Sequence, residues 1–441
     1  MQLTIPELAL VVLIGASGSG RSTFAHRHFK PTEILSLDFF RALVSDDEAD
    51  QNATDAALAI LHFVVAKRLE AGKLTVVDAN NDEPRARAPL VALARQYYTL
   101  PVAIALDLPE KLLGERNRHR SGQDSDPEAI AQQVHRLSHA LPGLYKEGFR
   151  RVHVLSSPEQ VESAEIARDP LPNNRKADRG PFDIIGDVHG CFDELISLLR
   201  ELGYTITGYD SHCQAQPPAG RSAIFVGDLV DRGPKIPQVL HLVMDMVAAG
   251  QALCVPGNHD MKLVRKLSGR TVEITNGLAE TLEQLESEPL EFKERVRSFL
   301  GGLPSHYVLD GGNLVVAHAG LKQPMQGRDS NAVYEFALYG ETTGEIDEFG
   351  LPVRLNWAAD YHGSVYVVYG HTPVPSAEWL NRTMDIDTGC VFGGKLTALR
   401  YPEMELISVP AARTYAPSKR PFLSANKAGL PATSPQSDLL D

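Results

Sequence analysis

The stretch Phe182-Asp-Ile-Ile-Gly-Asp-Val-His-Gly-Cys191 is an apolar strand that ends in a turn carrying a carboxylate and an imidazole. Asp187 and His189 lie two residues apart, so an extended backbone points both side chains to the same side. An oxygen and a nitrogen aimed at one point are suitable ligands for a divalent metal ion. Because Asp-x-His is frequent by chance, this prediction depends on whether later segments repeat the design.

Four later segments repeat this order of an apolar strand and a loop with ligand-type residues. They span residues 223–233, 253–260, 314–320 and 365–372. In each segment the candidate ligands follow the carboxyl end of the strand, which is where open sheets gather their active sites. A single histidine after a strand is usually structural, but five such segments in one domain predict a shared binding site.

Length and composition limit the possible classes of protein. A chain of 441 residues suggests two or three domains. The net charge of -13 gives no general affinity for nucleic acid, so any polynucleotide contact must depend on local basic patches. Four cysteines without paired spacing, no apolar run that could span a bilayer and no secretory signal predict a cytoplasmic protein without a membrane partner. The sequence does not indicate an oligomeric state.

A glycine-rich loop at residues 15–23 lies between an apolar strand, 8–14, and a predicted helix through residue 29. This context predicts a phosphate-binding loop, in which backbone N–H groups and the helix N-terminus hold phosphate. The pattern G-x-x-x-x-G-K-S/T fits except that Arg21 replaces the lysine, and an arginine is longer and planar. The predicted nucleotide-binding residues are Gly15, Ser17, Gly18, Ser19, Gly20, Arg21, Ser22, Thr23 and Asp78, with the Ser22 hydroxyl on a magnesium ion.

Further residues suit phosphoryl transfer. Strands predicted at 34–38 and 74–78 each end in an aspartate, Asp38 and Asp78. An aspartate can accept the proton of an attacking hydroxyl, and Arg41 could hold an acceptor phosphate. In the basic cluster 115–120, Arg116 and Arg120 could form a lid that stabilises phosphoryl charge.

The sequence also predicts the domain boundaries. Strands at 101–106 and 152–155 and helices at 53–71 and from 128 complete a mostly parallel α/β sheet domain of the P-loop kinase type at 1–168. A polar, proline-bearing linker follows at 169–181, then a second domain at 182–412 and a Pro/Ser/Ala-rich tail at 413–441 with the composition of disorder.

The order D-x-H, G-D-x-x-D-R-G, G-N-H-D, H-A-G and G-H-T resembles the calcineurin-like binuclear metallophosphoesterases over residues 182–400. The resemblance implies two mixed sheets flanked by helices and two divalent metals bridged by Asp228. The implied ligands are Asp187, His189 and Asp228 for one metal, and Asp228, Asn258, His318 and His371 for the other. It also implies that His259, oriented by Asp231, protonates the leaving oxygen, and that Arg232 binds the phosphate. The donor set suits manganese foremost, or iron or zinc, better than calcium.

Together the two domains resemble the bacterial polynucleotide kinase-phosphatases of RNA repair over residues 1–422. The resemblance implies that Asp38 is the general base for an RNA 5′-OH, that Arg41 binds the acceptor phosphate, and that Asp387 supports end-specific phosphatase activity. ATP or GTP with Mg²⁺ would be the phosphate donor. The implied substrates are RNA ends with a 5′-OH and a 2′,3′-cyclic, 2′- or 3′-phosphate. Because the ligase domain of that family is absent, we expect a separate RNA ligase as partner.

Two other classes of function remain open. The second domain could be a protein Ser/Thr phosphatase or a dinucleoside polyphosphate hydrolase whose P-loop domain only senses nucleotide, because these enzymes share the metal-binding motifs. Alternatively, the N-terminal domain could bind RNA ends or nucleotide without transferring phosphate. Asp38, Arg41 and the basic cluster favour the polynucleotide hypothesis, since a sensor needs no base for an acceptor hydroxyl.

Overall fold

The computed structural model describes residues 1–118 and 127–419 and divides into two compact α/β units. The first unit takes residues 1–172 and 328–333, and the second takes 173–327 and the chain from 334 onward. The predicted α/β architecture with two domains is confirmed. Arg120 and residues 420–441 of the tail predicted at 413–441 lie outside the described residues. Within the described part of that tail, Tyr415 packs against the core of the second unit and its hydroxyl donates to Glu194.

The first unit is built on parallel strands. Its strands are β1 (Gln2–Pro6), β2 (Ala9–Gly15), β3 (Ile34–Ser36), β4 (Thr75–Asp78), β5 (Leu100–Leu106), β6 (Arg151–Leu155) and β7 (Glu165–Asp169). Its helices are α1 (Arg21–His28), α2 (Leu37–Ser45), α3 (Thr54–Glu70), α4 (Pro84–Gln96), α5 (Glu110–Arg118), α6 (Pro127–Ala140), α7 (Leu144–Glu147) and α8 (Pro158–Ser163). Five strands form a parallel sheet in the order β3-β4-β2-β5-β6, and β1 pairs with β7. Every residue of β2 is buried, as expected for a strand covered on both faces.

The strand predicted at 34–38 is too long. It ends at Ser36, whose hydroxyl accepts a hydrogen bond from the backbone N–H of Phe39 and so caps α2. Asp38 therefore lies in the first turn of a helix instead of at a strand end.

The second unit contains two five-stranded mixed sheets, as predicted. Its strands are β8 (Phe182–Ile185), β9 (Thr205–Thr207), β10 (Gln214–Gln216), β11 (Ser222–Phe225), β12 (Ala252–Cys254), β13 (His306–Leu309), β14 (Leu314–Ala317), β15 (Thr342–Ile346), β16 (Pro352–Arg354), β17 (Tyr366–Tyr369), β18 (Trp379–Leu380), β19 (Thr383–Asp385), β20 (Lys395–Tyr401) and β21 (Glu405–Pro410). Its helices are α9 (Phe192–Glu201), α10 (Ile236–Ala248), α11 (Asn258–Leu267), α12 (Leu278–Glu286), α13 (Leu290–Gly302) and α14 (Asn331–Tyr339), whose first residues, 331–333, belong to the first unit. The sheet orders are β12-β11-β8-β20-β21 and β13-β14-β17-β19-β18.

The two sheets pack through one apolar cluster. Ile184 and Ile224 from the first sheet and Val316 and Val368 from the second belong to it. The next residue of β8, Ile185, belongs instead to the cluster that includes the helices α9 and α10, because successive side chains of a strand point to opposite faces. This packing brings the carboxyl ends of β8, β11, β12, β14 and β17 to one edge.

No helix within residues 1–118 and 127–419 combines the length and the apolar character that crossing a bilayer requires.

Candidate metal centre and phosphate-binding loop

The predicted metal ligands all follow strand ends of the second unit. The first sheet contributes those after β8, β11 and β12, and the second sheet contributes those after β14 and β17. In chain order they are Asp187, His189, Asp228, Asn258, His318 and His371. The fold brings together residues that are up to about 180 positions apart in the sequence. For example, the His371 backbone N–H donates to Asp187 Oδ2 at 3.1 Å.

Asp228 lies between two groups of potential ligands. Its Oδ2 is 3.5 Å from His189 Nε2, and its Oδ1 is 3.5 Å from His318 Nε2. The candidate ligand atoms of His189, Asp228 and His259 lie within 4.8 Å of one another, as do those of Asp228, His318 and His371. One carboxylate therefore faces both groups, which is the arrangement that a bridging ligand requires.

Backbone carbonyls fix the orientation of two histidine rings. His189 Nδ1 is 2.7 Å from the carbonyl oxygen of Val230, and His318 Nδ1 is 2.9 Å from that of Val226. Each Nδ1 therefore carries the proton that it donates, and each Nε2, 3.5 Å from an Asp228 oxygen, is left as an acceptor. This is the tautomer that a metal-binding histidine needs.

The donor set fits divalent cations. His318 Nε2 lies 3.0 Å from Asn258 Oδ1 and 3.0 Å from His371 Nδ1, so several acceptor atoms converge on one point. Asp187 Oδ1 is buried without a hydrogen-bond partner among the described residues. A cation would satisfy these atoms, and mixed oxygen and nitrogen donors suit first-row transition metals.

Burial sets the protonation of the centre. It raises the pKa of Asp228 to about 7 and lowers the pKa of His318 to about 3, because a dry site disfavours either charged form. Burial likewise raises the pKa of Asp387, which follows β19, to about 7. A bound cation reverses the penalty on the carboxylates and leaves the neutral imidazoles as ligands.

The backbone is strained at the centre. His189, Asp228, Asp231, Arg232 and His371 have φ values of 44°, 48°, 73°, 71° and 77°. Residues other than glycine seldom adopt this region, and they are held there only where surrounding structure enforces it. The strained turns place the ends of these side chains at the centre, which indicates a functional site.

His259 is held by a buried chain of hydrogen bonds. Its Nδ1 lies 2.5 Å from Asp231 Oδ2, and the Thr281 hydroxyl donates to Asp231 Oδ1. Arg232 donates from Nη2 to His259 Nε2 at 2.8 Å and from Nη1 to His189 Nε2 at 2.7 Å. The structure therefore brings His259, Asp231 and Arg232 together beside the candidate metal ligands. Their roles in proton transfer and phosphate binding stay predictions.

Two further residues position this site, and neither is predicted from the sequence. Asp260 accepts from the backbone N–H groups of Leu229 and Gly257, which ties two ligand loops together. Its place beside His259 in the G-N-H-D motif was a usable signal. Thr281 lies on α12, fifty residues from its partner, and no sequence pattern marks it.

The glycine-rich loop of the first unit borders a cavity of about 460 Å³. Gly18 and Gly20 have φ values of 81° and 90°, which glycine adopts without steric cost. The residues that line the cavity include Gly18, Ser19, Gly20, Arg21, Ser22, Thr23, Arg27 and Arg116, whereas Gly15 and Ser17 belong to the loop but not to this lining. Arg116 Nη1 lies 3.5 Å from the carbonyl oxygens of Gly18 and Ser19.

The predicted acceptor-side residues form an ion pair. Arg41 Nη1 lies 2.5 Å from Asp38 Oδ1, and Arg41 Nε donates to the Thr54 hydroxyl at 3.0 Å. Asp78 is buried at the end of β4, and its Oδ1 is 3.6 Å from Arg21 Nε. The roles of these residues in phosphoryl transfer stay predictions.

Comparison with known proteins separates the two units. The family model of the calcineurin-like phosphoesterases matches residues 180–382, and that of an AAA domain matches residues 10–141. A bis(5'-nucleosyl)-tetraphosphatase PrpE (asymmetrical) of Anoxybacillus flavithermus is 47% identical over 246 residues, which cover 55% of this chain and 99% of that protein. The protein of that name in Bacillus subtilis is 44% identical over 243 residues, covering 54% of this chain and 98% of that protein.

Among solved structures, a protein serine/threonine phosphatase of Saccharomyces cerevisiae is 12% identical, covers 54% of this chain and 82% of its own, and has a TM-score of 0.38. An identity and a TM-score this low do not indicate an activity. The curated relatives named above are tetraphosphatases, not polynucleotide kinase-phosphatases. The sequence identity to these relatives covers nearly their whole length. It agrees with the family match and with the geometry of the candidate metal centre in indicating a phosphoesterase. The chain therefore belongs to the calcineurin-like phosphoesterase family and is a metal-dependent phosphoesterase preceded by a domain of the AAA type.

Proposed function

We propose that the second unit hydrolyses dinucleoside polyphosphates. The observation that carries the proposal is the 47% identity to a bis(5'-nucleosyl)-tetraphosphatase over 99% of that protein. This favours the dinucleoside polyphosphate alternative over RNA end healing. The reaction adds one water across one P–O–P bond, and off-centre cleavage of a bis(5′-nucleosyl) tetraphosphate gives a nucleoside triphosphate and a nucleoside monophosphate.

The residues around the centre suit this reaction. Two divalent cations at Asp187, His189, Asp228, Asn258, His318 and His371 would activate water and neutralise phosphate charge. The guanidinium of Arg232 binds phosphate oxygens with a planar pair of donors. His259 keeps its proton on Nδ1, toward Asp231, so its Nε2 is the atom that exchanges a proton with the leaving oxygen.

A cavity beside Arg232 offers room for a nucleoside. Its volume is about 440 Å³, and its lining includes Gln284, Arg413 and Tyr415. The Arg413 guanidinium lies 5.2 Å from the Tyr415 ring centroid, so the wall presents cationic and aromatic groups. Glu280 and Glu283 also line this cavity. The cationic and aromatic groups of the wall suit a phosphate and a flat base, and a phosphopeptide offers a phosphate but no base.

The test is a substrate panel on the full chain with Mn²⁺. Its substrates are diadenosine tetraphosphate, RNA with a 3′-phosphate or a 2′,3′-cyclic phosphate, and a phosphopeptide, with products separated by ion-exchange chromatography. We expect equimolar ATP and AMP and a kcat/KM for the tetraphosphate at least about 100-fold above the others. Two ADP per substrate would refute off-centre cleavage, and a preference for the phosphopeptide or an RNA end would refute the substrate class.

RNA end healing is the second candidate, and the Asp38–Arg41 pair favours it. Both residues lie in the unit that carries the phosphate-binding loop, and they suit a base for an acceptor hydroxyl and a site for an acceptor phosphate. In this function the second unit would remove 2′,3′-cyclic, 2′- or 3′-phosphates, the first would phosphorylate the 5′-OH from ATP or GTP with Mg²⁺, and a separate ligase would seal the ends. Phosphate transfer from labelled ATP or GTP to a 5′-OH oligonucleotide would support it, and no transfer with any divalent metal would exclude the kinase half.

A further inference from the structure

The Arg21 side chain turns toward the base of its own loop. Its Nη1 donates to the carbonyl oxygens of Gly15 and Ala16, the latter at 3.0 Å, and its Nη2 donates to Asn80 Oδ1 at 2.5 Å. With Nε 3.6 Å from Asp78 Oδ1, every nitrogen of the guanidinium faces the loop or the end of β4. The cation that the pattern assigns to the phosphates is therefore engaged within the protein, and its side chain is only 12% exposed.

This arrangement does not fit a magnesium ion. Asp78 and Ser22 were the predicted protein ligands, but the Asp78 carboxylate already lies beside a fixed positive charge, and the neighbouring Asn80 oxygen accepts from the same guanidinium. Mg²⁺ demands oxygen ligands in near-octahedral geometry at about 2.0–2.1 Å. The guanidinium takes the Asn80 oxygen and places a positive charge beside the Asp78 carboxylate, which repels the dication.

The capacity to bind an anion is nevertheless present. The first-turn N–H groups of α1, from Arg21 to Thr23, have no partner within the helix. The side chains of Arg27 and Arg116 line the same cavity. The Ser19 hydroxyl is buried, and within the described part of the chain it has no hydrogen-bond partner. One backbone donor of the loop is taken, since the Ser17 N–H donates to Gln133 Oε1 at 2.8 Å.

We propose that this loop is a magnesium-independent site for the phosphates of a nucleotide, in which the Arg21 guanidinium stands where the metal would bind. The bound nucleotide is held without transfer of its phosphate, because neither a free lysine charge nor a metal is available to stabilise the transferred group. The site belongs to the first unit, whereas the proposed hydrolysis belongs to the second.

The test is the affinity for ADP, measured by isothermal titration calorimetry on the full chain in EDTA and in excess Mg²⁺. We expect equal dissociation constants for the wild type, within about twofold. In Arg21→Lys, which frees Asp78 and Asn80, we expect Mg²⁺ to tighten binding by at least about tenfold. Gly20→Val should abolish binding, because residue 20 has a φ of 90° and borders the cavity. Circular dichroism and the midpoint of thermal unfolding check that each variant folds.

An increase in wild-type affinity of tenfold or more with Mg²⁺, or no ADP binding in EDTA, would overturn the inference. Binding that persists in Gly20→Val would place the nucleotide elsewhere and overturn it as well. Because ADP binding is measured without any hydrolysis assay, none of these results depends on the substrate of the second unit. If Arg21→Lys fails to fold, the comparison of EDTA and Mg²⁺ on the wild type decides alone.

Discussion

His259 illustrates how single hydrogen bonds define the chemistry of the centre. The acceptor at Asp231 leaves only one ring nitrogen for proton exchange, and Arg232 marks where a phosphate oxygen would lie. The ligand residues at the strand ends were predictable because they follow apolar segments in short motifs. The direction of the Arg21 side chain could not be predicted, because it depends on a hydrogen bond to Asn80, which follows another strand, β4.

Replacing His259 should impair chemistry more than metal binding. We expect His259→Asn to lower kcat for diadenosine tetraphosphate by at least about 100-fold, since the proton-exchanging nitrogen is lost. The metal content, measured by mass spectrometry, should stay within error of the wild type. The exposed His212 is the matched control, and His212→Asn should leave kcat unchanged. An unaltered kcat in His259→Asn would remove the residue from the mechanism.

At the scale of elements, the ends of strands and the turns after them position the site. Gly370 follows β17, and a Cβ atom built on it would lie 2.0 Å from Asp187 Oδ1. Only glycine lets this strand end approach that carboxylate. The close approach could not be predicted from the sequence, because it joins residues of two different sheets.

Gly370→Ala should therefore displace Asp187. We expect a loss of about 10–100-fold in metal affinity and in kcat/KM, as for other changes that misplace a metal ligand. Metal titration of the stripped protein measures the first quantity, and steady-state kinetics measures the second. Gly302→Ala is the control, because a Cβ atom there would meet nothing within 4 Å. Equal metal affinity in the two variants would contradict the role of this strand end.

His306, the first residue of β13, should make stability depend on pH. Its Nε2 accepts from the Gly327 N–H at 2.9 Å, and burial lowers its pKa from 6.5 to about 3. Below pH 6.5 the unfolded chain takes up a proton that the folded chain does not, so the free energy of unfolding falls as the pH drops from 6.5 toward 3. At pH 5 the loss is about 2 kcal/mol.

Differential scanning calorimetry at pH 7 and pH 5 measures this effect. His306→Gln should make the second unit less sensitive to the change of pH, whereas His212→Gln at an exposed position should leave the sensitivity as it is. Since the metal centre is common to all three proteins, the difference between them isolates His306. An identical shift in all three would show that His306 stays able to bind a proton in the folded chain.

For the whole molecule, the two-domain α/β architecture was predictable because strand-and-ligand repeats and a strand, glycine loop and helix are local patterns. Two features of the first unit were not predicted. β1 pairs with β7, some 160 residues later, and residues 328–333 belong to the first unit although the flanking chain belongs to the second. Both depend on packing between distant segments. The boundaries of the linker stay a prediction, although Val308 hydrogen-bonds with both Asn173 and Arg175.

We propose that two cations sharing Asp228 carry out the hydrolysis. The most direct measurement combines metal content by mass spectrometry with diadenosine tetraphosphate turnover on the same samples of the wild type, Asp228→Asn and the exposed control Asp193→Asn. We predict about two metals per chain with turnover in the wild type and the control, and about one or none in Asp228→Asn with turnover lowered at least about 100-fold. An Asp228→Asn protein that keeps both metals and its turnover would contradict the account.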